Sequence, residues 1–182
     1  MSMTFTLEGS LAGQKELTRQ LYRTTREVRG WRRSDHSSLR RPYVRVTADS
    51  GTITAPTESA LRDVIESARW IVGLPDNWDE EGSIGYSKET FERVEQFVLR
   101  HASLGAETWG RCFTPPQIAP ADHGSIDILW ETESMQLLVN VPTDPTERIS
   151  FYGEDQNRGT FSGQIAPHAA RADLVAWIVG GE

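Results

Sequence analysis

Apolar positions along this chain repeat first with the period of a helix and later with the period of a strand. Residues 57–73 place Leu61, Val64, Ile65, Ala68 and Ile71 on one helical face, with Arg62, Asp63, Glu66 and Arg69 turned away. Thr57 is the expected cap. Residues 87–102 repeat the pattern with Phe91, Val94, Phe97, Val98 and His101, and Gly105 is the expected stop. Ser87 is a natural N-cap for this second helix, its hydroxyl aimed at the Thr90 amide, with Glu89 suited to the positive helix end.

The period then falls to two. Residues 125–131 put Ile126, Ile128 and Trp130 on one face and Asp127, Leu129 and Glu131 on the other. Residues 135–141 align Met135, Leu137, Val139 and Val141; 148–154 align Ile149 and Phe151; 160–165 contribute Phe161 and Ile165. Short turns at 132–134 and 155–159 predict antiparallel hairpins. Pro115, Pro116 and Pro120 keep the preceding segment out of the sheet interior, and residues 121–124 are read as the turn into the first strand. A last helix is expected to open near Pro167, with Ala170, Leu174, Trp177 and Ile178 as its stripe and Gly180-Gly181 as its stop.

These elements predict an α+β fold in which two or three N-terminal helices pack on a four-stranded antiparallel meander with a C-terminal helix. The third helix is an amphipathic stretch at 11–29, with Leu17, Leu21 and Val28 on one face and Lys15, Arg19, Arg23 and Arg26 opposite. Residues 30–42 (GWRRSDHSSLRRP) lack any period and read as a linker, and residues 43–54 could form a short hairpin.

Charge divides the chain where the pattern does. Residues 1–50 carry ten basic and five acidic side chains, a net +5; residues 51–182 carry nine and twenty-one, a net −12. The organisation expected is therefore a basic arm, 1–50, on an acidic domain, 51–182. Partner-binding residues are expected in the arm: Lys15, Arg19, Arg23 and Arg26 on the helix, then Trp31, Arg32, Arg33, Arg40 and Arg41, which combine an aromatic with guanidinium groups. That combination suits a protein interface and equally a nucleic-acid backbone.

Between the two strong helices lies a long connection, 74–86, with Asp76, Asn77, Trp78, Asp79, Glu80, Glu81 and Gly82 in succession. Gly73 and Pro75 are read as closing the helix before it, the Gly in the left-handed conformation. A calcium loop set on Gly82 as sixth residue takes Asn77, Asp79 and Glu81 as ligands, but its twelfth position is Lys88 and Glu89 falls one residue late. No metal and no cofactor are therefore expected. Asp76, Asn77, Trp78, Asp79 and Gly82 are assigned to a structural loop, with Trp78 as its anchor.

Other chemistry is sparse. The single Cys112 rules out an internal disulfide, and no apolar run reaches the length of a membrane span. The first residues lack the pattern of a secretory signal, so the expectation is cytoplasmic. No nucleophile elbow, zinc-helix motif or phosphate loop occurs. An acid–base or metal site from Asp122, His123 and Asp79 would need the fold to gather them.

The stretch Asn77-Trp78-Asp79-Glu80-Glu81-Gly82, then Ser87-Lys88-Glu89-Thr90, then the Pro-rich entry at 115–130 with Gly124-Ser125-Ile126 and Leu129-Trp130, resembles a group of small bacterial proteins with an NWDG-type loop between two helices. The resemblance covers about residues 60–155 and departs at Glu80, where the group has Gly, and at Ser83. It implies no catalytic residue and no activity. It implies an accessory part in a bacterial defence or toxin system. The function expected is thus a non-enzymatic protein-interaction module, an antitoxin-like or immunity-like subunit whose partner is a toxin or defence effector. The alternatives are a nucleic-acid-binding protein using the arm and a metal-dependent hydrolase using the acidic loop.

Overall fold

A computed structural model of the chain describes residues 58–80, 82–110 and 112–180. The basic arm, with Lys15, Arg19, Arg23, Arg26, Trp31, Arg32, Arg33, Arg40 and Arg41, lies outside the described residues, as do Glu81 and Gly181.

The fold is α+β. Helix α1 (Glu58–Ser67) runs into a 3-10 turn (Arg69–Gly73), and after the loop comes α2 (Lys88–Trp109). Then follow five strands, β1 (Gln117–Pro120), β2 (Ile126–Glu131), β3 (Met135–Val141), β4 (Ile149–Asp155) and β5 (Gly159–Ile165), and a closing helix α3 (Ala172–Val179). The strands form one antiparallel sheet in sequential order.

The sheet has one strand more than the hydrophobic pattern predicts. β1 is only four residues long, ends in Pro120 and pairs Ile118 with Ile128 and Ala119 with Asp127. Too short for an alternation to register, it sits at the sheet edge, where a proline that cannot donate is tolerated. Residues 121–124 consequently join β1 to β2 rather than lead into a first strand; His123 (φ 57°) and Gly124 (φ 70°) turn the chain there.

The helices also differ in extent. The stripe predicted over 57–73 is not one α-helix. The Ala68 amide is shared between the carbonyls of Val64 and Ile65, and the Ser67 hydroxyl donates to Val64 O, so the last turn tightens to 3-10 form. Gly73 does not take a positive φ; Leu74, forced extended by Pro75, stops the helix instead (φ −76°, ψ 122°). Helix α2 passes through Gly105, which is buried within it, and ends at Gly110, whose φ of 68° supplies the left-handed cap. Its start is as expected, with Ser87 Oγ accepting from the Thr90 amide at 3.0 Å. Helix α3 opens five residues after Pro167; Ala170 is exposed ahead of it, and Val175 and Val179 join Leu174, Trp177 and Ile178 in the core.

One core takes the buried side chains of α1, α2 and α3 against Ile126, Ile128, Trp130, Leu137, Val139, Val141, Ile149 and Phe151. Two glycines make room for aromatic rings at the sheet. A Cβ on Gly163 would stand 2.8 Å from Phe151 Cζ, and one on Gly153 would stand 2.8 Å from Trp177 Nε1. The Trp177 indole lies stacked on Phe161, centroids 5.0 Å apart, with the Arg158 guanidinium 4.3 Å from the Trp177 ring centre.

Candidate functional site

Three loops meet at one end of the sheet: 74–86 between the helices, 121–125 between β1 and β2, and 142–148 between β3 and β4. The first is rigid because its polar side chains are turned onto its own backbone. Asp76 Oδ1 accepts from the Gly85 amide (2.7 Å), Asn77 Oδ1 from the Gly82 amide (2.8 Å), and the Asp79 carboxylate from both the amide and hydroxyl of Ser83. The Asn77 amide donates to Ser83 O at 2.6 Å, closing the loop across its neck. Asn77 (φ 59°), Glu80 (φ 64°) and Gly82 (φ 87°) are all left-handed. Asn tolerates that conformation and Gly is indifferent to it, but Glu80 is held there against its preference.

Aromatic side chains fasten the loop to the body. Trp78 is half-buried against the core, its ring 6.3 Å from that of Tyr86. The Tyr86 hydroxyl donates to Ala121 O at 2.8 Å, tying loop 74–86 to the β1–β2 turn. Gly124 fits into the same junction: a Cβ there would meet Thr143 Oγ1 at 3.0 Å and Gly85 O at 3.1 Å. The Thr143 hydroxyl donates to His123 O (2.6 Å), and Arg93 Nη2 donates to Pro142 O (2.6 Å) and Thr143 O (2.8 Å), so α2 anchors the third loop. Burial pushes the Arg93 guanidinium down from its ordinary range. Hydrogen bonds from the Thr146 hydroxyl and amide to Asp144 Oδ1 hold the Asp144 carboxyl below its usual range and keep it anionic.

Asp76, Asn77, Trp78, Asp79 and Gly82, assigned from sequence to a structural loop, are thus gathered in one turn. The carboxylates of Asp76 and Asp79 face backbone and hydroxyl donors of that turn. Asp122 and His123 lie on the neighbouring loop, with the His123 ring exposed. Among the described residues no three carboxylates, imidazoles or thiolates are grouped to hold a metal ion, and no helix is long and apolar enough to cross a membrane.

Ile84 belongs to none of the apolar stripes in the sequence. It is 52% exposed, the most open large apolar side chain among the described residues, and it sits at this end of the molecule with exposed Asp76 and Glu80 in its own loop and exposed Asp144 in loop 142–148. Its signal was legible: a lone branched apolar residue inside a polar loop. Tyr86 lies outside the stripes too, although a large apolar residue just before an N-cap, five before Phe91, is a known signature of chain entry into a helix.

The chain matches no protein-family model, no curated protein and no solved structure.

Proposed function

We propose that this protein is a non-catalytic protein-interaction module and that its contact surface is the loop end around Ile84. One observation carries the reading: an exposed branched apolar side chain stands on a loop whose conformation is already locked, by the Asp76, Asn77 and Asp79 hydrogen bonds and by the Tyr86 clamp. A preformed loop loses little conformational entropy on binding, and an apolar anchor with polar neighbours is the usual composition of an interface centre. The exposed carboxylates of Asp76 and Asp144 favour a partner that brings an apolar recess rimmed by Lys or Arg. Following the sequence resemblance, the partner class proposed is a toxin or defence effector, with this chain as its accessory, antitoxin-like or immunity-like subunit.

The test is capture from the native host with the intact chain and with Ile84→Asp, followed by titration of the purified captured protein against both. Ile84 is exposed, so the variant should melt with the parent. Affinity should fall by about tenfold or more, the scale of a lost interface anchor. Equal affinity of both chains, or capture of nothing by the parent, overturns the proposal. Nucleic-acid binding through the arm is the alternative favoured by its +5 charge. It predicts instead a log–log salt slope of about −3.6 for four phosphate contacts.

A further inference from the structure

The sheet has two faces, and the helices among the described residues account for one. Their buried side chains join Ile126, Ile128, Trp130, Leu137 and Val139 in a single core. On the opposite face Leu129 and Leu138, paired across β2 and β3, form a separate apolar cluster of their own. Yet Leu129 is 1% exposed, Leu138 0%, and Ala119 and Asp127 on the same face 1% and 0%. Burial centres on β2 and β3: Gln117 at the start of β1 is exposed, and burial fades again toward β5. Tyr152 and Ser150 on β4 are half-buried, and Ser162 and Gln164 on β5 are exposed.

We propose that the basic arm, residues 1–50, covers the β1–β3 half of this face, seating the Leu17, Leu21 and Val28 stripe of its helix on Leu129 and Leu138. Three observations select this occupant. The first is where the arm joins the body. Glu58 at the start of α1 shares a recess with Ala106 and Cys112, and Cys112 lies five residues before the start of β1. The arm therefore joins the body near the segment that precedes β1, and the deepest burial on the second face is on β1–β3, at Ala119, Asp127, Leu129 and Leu138. The second is reach. The residues between the amphipathic helix and α1 could extend to about 90 Å at full stretch, while three strands span only about 10 Å. The third is charge. By register the second face carries Asp127, Glu131 and Glu154 and, among the described residues of the five strands, no Lys or Arg. The arm offers Arg29, Arg32, Arg33, Arg40 and Arg41 just beyond its apolar stripe. With that stripe seated, Lys15, Arg19, Arg23 and Arg26 point to solvent, opposite to it on the helix. The docking does not depend on the role of the Ile84 loop, which lies at the sheet end rather than on this face.

The experiment uses the full chain carrying Cys112→Ser and Leu138→Cys, so that the one thiol reports on the second face. Its reaction with a maleimide should be slow and independent of protein concentration. Adding Leu17→Ser and Leu21→Ser should speed it by about tenfold or more, as expected when a locally opened cover is lost. Equal rates with and without the arm substitutions overturn the proposal. So does protection that vanishes on dilution as a dimer dissociates in sedimentation, which would make a second copy the cover. If either variant fails to fold, a benzophenone side chain incorporated in place of Leu21 in the otherwise unaltered chain answers the same question. An adduct within one chain on the peptide containing Leu129 or Leu138 supports the docking. An adduct between chains, or elsewhere in the chain, refutes it.

Discussion

His101 and Arg171 join α2 to the start of α3: the imidazole Nε2 accepts a hydrogen bond from the Arg171 backbone amide at 3.3 Å. Because Nε2 accepts, the proton resides on Nδ1, which lies 2.8 Å from Phe97 O and donates to it. The neutral ring is therefore satisfied on both sides, 0% exposed, with the Phe97 ring 4.1 Å from it. Burial pushes the His101 pKa down from its ordinary value.

That depression gives a pH prediction. Below about pH 6.5 the unfolded chain binds a proton at His101 that the folded chain resists, so folding stability falls as pH falls. Above that pH both states are neutral and the contribution is fully present. The melting temperature should decline on going from about pH 7.5 to about pH 5. His101→Gln should lower the melting temperature at neutral pH and flatten part of this slope. A slope unchanged in the variant would assign the effect to other groups.

Gly153 is required by Trp177. A methyl group there would lie against the indole Nε1, between Trp177 and the Leu137 side chain 3.2 Å away. Gly153→Ala should destabilise the fold by about 1–3 kcal/mol, the range for overpacking a filled core. Urea denaturation measures it, and an unchanged midpoint would mean that α3 shifts without cost.

Trp78 and Tyr86 hold the loop end. Trp78→Ala should cost about 2 kcal/mol, less than a fully buried Trp because the residue is only partly buried. Tyr86→Phe, which removes the hydroxyl that donates to Ala121 O, should cost about 1 kcal/mol. If the loop end is the partner surface, both variants also weaken partner binding while Ile84→Asp weakens binding alone. Titration beside thermal melting separates the two effects.

Gly110 closes α2 with a positive φ and open space around its Cα. Gly110→Ala meets no neighbour, so its whole effect is backbone strain, about 1 kcal/mol. Gly105→Ala should be judged by the same denaturation assay. A gain or small change there beside a loss at Gly110 would confirm which glycine ends the helix.

The acidic loop should be indifferent to chelator. Asp76 and Asp79 already accept hydrogen bonds from Gly85 and Ser83. Thermal stability should not change when excess chelator is added. A fall reversed by calcium or magnesium would show that the loop opens to take an ion.

By itself the sequence determined the class of the fold, the cap at Ser87, the two helical stripes and the four longer strands. Each is encoded by a local period or by a side chain reaching a few residues along the chain, so a short window contains the whole cause. The edge strand β1, the passage of α2 through Gly105 and the tightening at Ala68 were decided by tertiary structure. β1 exists because Ile118 and Ala119 find Ile128 and Asp127 across a turn, a pairing no four-residue window can specify. Gly105 and Gly110 are the same residue type near one helix end. Only the surroundings bury the first and leave the second free to turn left-handed. The site divides in the same way. Asp76, Asn77, Trp78, Asp79 and Gly82 announced a closed loop through their own spacing. Ile84 acquired its place beside Gly124 and its exposure only when the β1–β2 turn was brought against the loop by the Tyr86 hydroxyl. Such a contact joins residues thirty-five apart in the chain, and local periodicity carries no information at that distance.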